Sequence, residues 1–117
     1  MVRVAINGFG RIGRMFLRAA LQDKKVTVVA INDLTDTQTL ATLFQYDSVH
    51  GKFPHKVTAT SKSIKIGKTI IPIFKEKDPT NLPWKKHKAD VVLESTGIFR
   101  NPDDAAKHII AGAKKVI

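Results

Sequence analysis

Val2-Arg3-Val4-Ala5-Ile6-Asn7-Gly8-Phe9-Gly10-Arg11-Ile12-Gly13 opens the chain and decides how the rest is read. Residues 2–6 form a short apolar run of the kind buried on both faces of a parallel sheet. The glycine-rich stretch 7–13 comes directly after it. Ile12, Met15, Phe16, Leu17, Ala19, Ala20 and Leu21 then recur close to a helical period, predicting a helix over 11–22. A second apolar run, 26–31, ends at Asn32-Asp33. Strand, glycine turn, helix and strand make one β-α-β unit.

Gly8-Phe9-Gly10-Arg11-Ile12-Gly13 is G-x-G-x-x-G. The pattern alone is weak, but here it leaves a strand and opens a helix, with an acid about twenty residues further on. Gly8 permits the tight turn, Gly10 lets backbone approach a pyrophosphate, and Gly13 lets the helix pack near the strand. The helix N-terminus offers unpaired N–H donors to phosphate. Asp33 can accept hydrogen bonds from ribose hydroxyls. A carboxylate there repels a 2′-phosphate, and Leu34 rather than an arginine comes next, so NAD is favoured over NADP. A ligand-free glycine turn with a solvated acid is the bland reading, and the register of all these elements argues against it.

Working outward, Asp36 or Thr37 can cap a helix running to about residue 44. Residues 46–55 read as irregular. Strand-like pieces at 57–60, 63–66 and 69–74 are separated by Ser61-Lys62 and Gly67-Lys68, which predicts tight hairpins. Trp84 plugs the loop 78–83 onto the body. Residues 91–93 are another buried strand, Asn101-Pro102-Asp103 opens a helix that stops near Gly112, and 113–117 begin a last strand. The expected fold is α/β: a Rossmann-type doubly wound, mostly parallel sheet with an inserted hairpin region. Residues 1–117 are expected to be one such domain, C-terminally incomplete, because the chain stops inside a strand.

The 117 residues contain no cysteine, which excludes disulfides, thiolate metal sites and a cysteine nucleophile from this chain. No apolar run reaches the ~18–20 residues of a membrane span, and residues 1–7 hold no long apolar stretch before a small-residue cleavage site, so no secretory signal is expected. Twenty Lys and Arg against ten Asp and Glu give a net charge of +10, most of it beyond residue 50. Such a balance admits a second reading, a non-catalytic basic module for RNA or another polyanion. Aromatic residues are only 7% and do not interleave with basic ones, so a base-stacking platform is missing and nucleic acid is the less favoured partner.

Other candidates are Ser95-Thr96-Gly97 after the 91–93 strand, on the side where open α/β sheets take ligands, and Lys77 after the 69–74 strand. His50, His55, His87 and His108 show no metal-ligand spacing and are read as loop and surface residues. Lys85-Lys86-His87-Lys88 is read as a solvated basic face.

These stretches resemble a known family. Residues 4–14, Val29-Ala30-Ile31-Asn32-Asp33, Tyr46-Asp47-Ser48-Val49-His50-Gly51, Leu82-Pro83-Trp84, Glu94-Ser95-Thr96-Gly97-Ile98-Phe99 and Ala111-Gly112-Ala113-Lys114-Lys115-Val116-Ile117 are similar, in order, to phosphorylating glyceraldehyde-3-phosphate dehydrogenases. Erythrose-4-phosphate dehydrogenases share the first motif but tend to carry Glu where this chain has Asp33. The resemblance implies a glycolytic, cytoplasmic, homotetrameric NAD enzyme acting on glyceraldehyde-3-phosphate and phosphate. It implies cofactor contacts at Asn7, Gly8, Gly10, Arg11, Ile12, Gly13, Asp33, Lys77, Thr96, Gly97 and Phe99. The family's catalytic cysteine, histidine base and phosphate-binding residues have no counterpart here, so no catalytic residue is expected in this chain. No metal site is expected either.

Overall fold

The computed structural model describes residues 1–46, 56–95 and 102–117. Seven strands form a mixed sheet in the order β3-β4-β5-β2-β1-β6-β7. They are β1 (Val2–Asn7), β2 (Val26–Asn32), β3 (Val57–Ala59), β4 (Ser63–Ile66), β5 (Thr69–Phe74), β6 (Val91–Glu94) and β7 (Lys115–Val116). The helices are α1 (Arg11–Ala20), α2 (Thr37–Tyr46) and α3 (Pro102–Ile110), with a 3-10 turn at Pro79–Asn81. Strands β5, β2, β1, β6 and β7 run parallel to one another. Strands β3, β4 and β5 form an antiparallel meander, which is the inserted hairpin region.

The chain steps from β1 outward to β2 and β5, then returns to lay β6 on the other side of β1. The strand order therefore reverses between β1 and β6. Such a switch point opens a crevice at the carboxyl ends of the strands. Asn7 stands opposite Asn32 on one side and Glu94 on the other, which aligns three strand ends along that crevice.

Two cores cover the two faces. One packs Leu17 and Ala20 of α1 and Leu40, Ala41 and Phe44 of α2 against Ile6, Val28, Ile31 and the hairpin isoleucines. The other packs Leu82, Trp84, Ala89 and Ala111 against Ala5, Val29, Ala30 and Val92. Trp84 is fully buried, as its plugging role requires. Strict alternation fails within β2: Val29 and Ala30 face the second core, Val28 and Ile31 the first. The cause is a register shift opposite Val4 and Ala5, a bulge that leaves Val29 unpaired with β1.

Helix α1 buries Gly13, Leu17 and Ala20, a stripe at helical spacing. Arg18 ties it to α2 by donating from Nη2 to the Phe44 carbonyl at 2.9 Å, its guanidinium 5.3 Å from the Phe44 ring centre. Asp36 caps α2: the Thr39 N–H donates to Oδ1 at 3.0 Å and its hydroxyl to Oδ2 at 2.6 Å. Gly112 ends the last helical turn with φ 121°, and a Cβ there would lie 2.6 Å from the Lys85 nitrogen.

Among the described residues, three carboxyls sit below the usual aspartate range. The Thr39 hydroxyl and N–H lower Asp36, the Thr80 N–H and hydroxyl lower Asp78, and the Arg3 N–H lowers Asp90. Each is more acidic folded than unfolded. Each therefore adds stability at neutral pH that fades as pH falls through the unfolded aspartate range and vanishes below the folded value. Thermal melts from neutral pH down to about pH 2 should show the midpoint dropping below about pH 4. Asp36→Asn, which keeps a capping oxygen without the charge, should lose part of that dependence.

Candidate functional site

The glycine loop joins β1 to α1 at the switch point. Gly8 turns the chain with φ 94°, a conformation that glycine alone adopts without strain. Its N–H donates to the Asn32 carbonyl at 2.8 Å, and the Ser95 hydroxyl donates to its carbonyl. Phe9 turns inward, 1% exposed, and stacks on Phe44 with ring centres 5.9 Å apart. The loop is thus anchored from below and leaves its upper side to the crevice.

Gly10 is the N-cap of α1, and no side chain of the described residues caps this end. The first turn carries no acid. Arg14 N–H bonds back to Gly10, but the N–H groups before it have no partner within the helix. A Cβ at Gly10 would meet no protein atom within 4 Å among the described residues. Gly13 is the reverse case: a Cβ would lie 2.6 Å from the Gly8 oxygen and 3.0 Å from Ile6 Cγ2. Gly13 thus keeps the helix against the strand, and Gly10 leaves space open in front of the helix. Gly13→Ala should cost about 1–3 kcal/mol of stability, read as a lowered melting midpoint.

Asp33 lies across the loop at the end of β2. Its Oδ2 accepts the Phe9 N–H at 2.7 Å and its Oδ1 the Thr35 N–H at 2.9 Å. Those bonds aim the carboxylate at the crevice rim, half-exposed. Arg11 and Ile12 are exposed at the head of α1. Lys77 is exposed three residues past β5. The preceding segment is clipped to β2, because Glu76 N–H donates to Asn32 Oδ1 at 2.8 Å and Asn32 Nδ2 donates to the Glu76 carbonyl at 2.9 Å. Thr96, Gly97 and Phe99 lie outside the described residues, as do His50 and His55. A groove lined by Leu17, Leu21, Val26 and Ile71 lies at the amino ends of β2 and β5, the end of the sheet away from the loop.

Asn7 is 2% exposed and turns its side chain to its neighbours, not outward. Its Oδ1 accepts from Asn32 Nδ2 at 2.8 Å, and its Nδ2 donates to Glu94 Oε2 at 2.7 Å. His108 overturns the surface assignment made from sequence. It is fully buried, with Nε2 2.7 Å from Glu94 Oε2 and Nδ1 accepting from Trp84 Nε1 at 3.0 Å. Its helical neighbours Ile109 and Ile110 are 46% and 73% exposed. Sequence reasoning did not single out Glu94 and did not place His108 in the interior. The available signal was a charged residue closing the buried run 91–93, beside Asn7 and Asn32 closing theirs. His87 is half-buried against Phe74, and burial, then Lys86 and Arg3, lower its pKa. Among the described residues no cluster of His, Asp or Glu fits a metal ion.

Fold and loop together define a dinucleotide-binding α/β domain of the doubly wound class. Residues 2–102 match the family model of the glyceraldehyde 3-phosphate dehydrogenase NAD binding domain. Among curated proteins, the glyceraldehyde-3-phosphate dehydrogenase of Thermotoga maritima is 57% identical over 119 residues, covering 100% of this chain and 36% of the relative. That of Mycoplasma pneumoniae is 53% identical over 116 residues, covering 99% of the chain and 34% of the relative. Glyceraldehyde-3-phosphate dehydrogenase 1 of Bacillus subtilis is 53% identical over 116 residues, covering 99% and 35%. The chain belongs to the glyceraldehyde 3-phosphate dehydrogenase family, as its NAD binding domain, and its cofactor is NAD. It spans about a third of the length of the curated relatives it matches.

Proposed function

We propose that NAD lies across the carboxyl ends of β1, β2 and β6, held by residues of this chain, in an enzyme that oxidises glyceraldehyde-3-phosphate with NAD and phosphate to 1,3-bisphosphoglycerate. The pyrophosphate rests against the backbone of Gly8, Gly10, Arg11, Ile12 and Gly13, and Asp33 accepts from the ribose. Lys77 stands at the adenine end, and Thr96, Gly97 and Phe99 complete the set of cofactor contacts that the family resemblance implies. Asn7 acts from beneath, by holding the strand ends. The observation that carries this reading is the head of α1, which among the described residues has no side-chain cap and has open space at Gly10, with a carboxylate across the loop. The fit is chemical: N–H donors and a partial positive charge suit a pyrophosphate, and a half-exposed carboxylate suits ribose hydroxyls.

Bound NAD supplies an acceptor for hydride. This chain's residues bind and orient it, and they supply no cysteine nucleophile, since no cysteine is present. Residues 1–117 are read as the front part of the NAD domain of a longer, cytoplasmic, homotetrameric enzyme with a separate catalytic domain. No helix among the described residues is long and apolar enough to cross a membrane.

The test is calorimetric titration of the chain with NAD, paired with an assay for NADH formation from glyceraldehyde-3-phosphate and phosphate. NAD should bind and no turnover should be seen. Failure to bind NAD would overturn the site reading, and turnover by the purified chain would overturn the division of labour.

A further inference from the structure

Glu94 and His108 lie outside the residues placed against NAD above, yet they end a line of hydrogen bonds that begins beside Asp33. The line crosses three strand ends and enters α3. Its members are buried: Asn7 is 2% exposed, Asn32 4%, His108 0%, and the Glu94 side chain 8%.

Chemistry sets the direction of every bond. An indole N–H only donates. Trp84 therefore requires an unprotonated Nδ1 on His108, which places the ring proton on Nε2, donating to Glu94 Oε2 at 2.7 Å. The same carboxylate oxygen accepts from Asn7, so the amide nitrogen of Asn7 faces Glu94 and its oxygen faces β2. Asn32 must answer with its own nitrogen, at 2.8 Å. That leaves Asn32 Oδ1 to accept the Glu76 N–H. A flip of either amide sets donor against donor in a buried site, where an unmade hydrogen bond is costly. The amides of Asn7 and Asn32 thus have one permitted orientation each: the Glu94 end of the line sets Asn7, and Asn7 together with the Glu76 backbone N–H and carbonyl sets Asn32.

We propose that Glu94 and His108 are positioning residues for the cofactor. By setting the Asn7 amide, which braces the Asn32 amide from the other side, they steady the clamp on the segment that carries Glu76 and Lys77 beside Asp33, and so shape the adenosine end of the site. The proposal rests on the NAD site described above. It adds that this end is built from α3, on the opposite face of the sheet from α1.

The experiment uses NAD as the probe and reads affinity, melting midpoint and side-chain amide signals together. His108→Leu removes both ring bonds and should weaken NAD binding at least about fivefold, on the order of 1 kcal/mol. His108→Gln can offer an acceptor to Trp84 and a donor to Glu94, and should restore affinity to within about twofold. Leu82→Ala, in the same core but outside the line, should lower the midpoint without changing affinity. In the unaltered chain, nitrogen NMR should show His108 Nδ1 unprotonated, and the Asn7 and Asn32 NH2 signals should shift when NAD is added. This last arm needs no variant to fold. Unmoved amide signals, unchanged affinity in His108→Leu, or an affinity loss in Leu82→Ala equal to that of His108→Leu would overturn the proposal. Because all arms begin from a chain that binds NAD, loss of the positioning role is distinguishable from loss of the site itself.

Discussion

Gly10→Val is expected to lower NAD affinity at least about a hundredfold, some ~2.7 kcal/mol, while the protein stays folded. Two observations separate the effects. The backbone at Gly10 has φ −80° and ψ −161°, extended values that any residue adopts. A Cβ there meets no described protein atom within 4 Å. The described residues therefore accommodate the side chain without a clash. Its cost is the poorer N-cap, about 1 kcal/mol, or a fall of roughly 4–8 °C in the melting midpoint. The ligand has no such latitude. A phosphate oxygen must come within ~2.9 Å of the helix N–H groups, and an isopropyl group at position 10 keeps atoms at ~3.5 Å or beyond. Calorimetry with NAD and a thermal melt, run on both forms, would check the pair of outcomes. Equal NAD affinity in the two forms would remove the pyrophosphate from this loop.

The second expectation is that NAD is preferred over NADP by at least tenfold, through Asp33. NADP replaces one ribose hydroxyl with a phosphate bearing up to two negative charges. At ~4 Å from the carboxylate each unit pair repels by about 1 kcal/mol in water and about 4 kcal/mol at an effective dielectric of 20. A half-exposed carboxylate lies between these limits, so the preference spans roughly ten- to a thousandfold. Lys77, on the segment clamped beside Asp33, offsets part of this repulsion, whereas the rest of the net charge of +10 is screened beyond ~8 Å at physiological salt. Asp33→Ser should narrow the gap by strengthening NADP binding, while NAD weakens. Part of that weakening has a second origin, since Asp33 Oδ2 also accepts the Phe9 N–H and steadies the loop. Titration of both cofactors against both forms gives the ratio that decides. Equal binding of NAD and NADP by the unaltered chain would place Asp33 away from the ribose.

The amino-acid sequence by itself determined the order of strands and helices, the place of the glycine loop between β1 and α1, and the acid at the end of β2. These are local matters. Apolar runs, helical spacing, caps such as Asp36 and turn residues such as Gly8 act over a few residues and read directly. Only the tertiary structure decided which strands lie side by side, and which distant side chains that pairing brings together. The bulge at Val29 turns two successive residues of β2 to one face, because β1 and β2 pair with a shifted register that periodicity does not reveal. His108 is buried and Ile110 exposed because α3 presents to the sheet the one face that meets Trp84 and Glu94. Asn7, Asn32 and Glu94 are far apart in the chain, and nothing local links them. Parallel pairing puts them in one row, and in a buried row each polar atom must find a partner. Local preference thus specified the elements, and the cost of unmet hydrogen bonds in the assembled sheet specified what joins them.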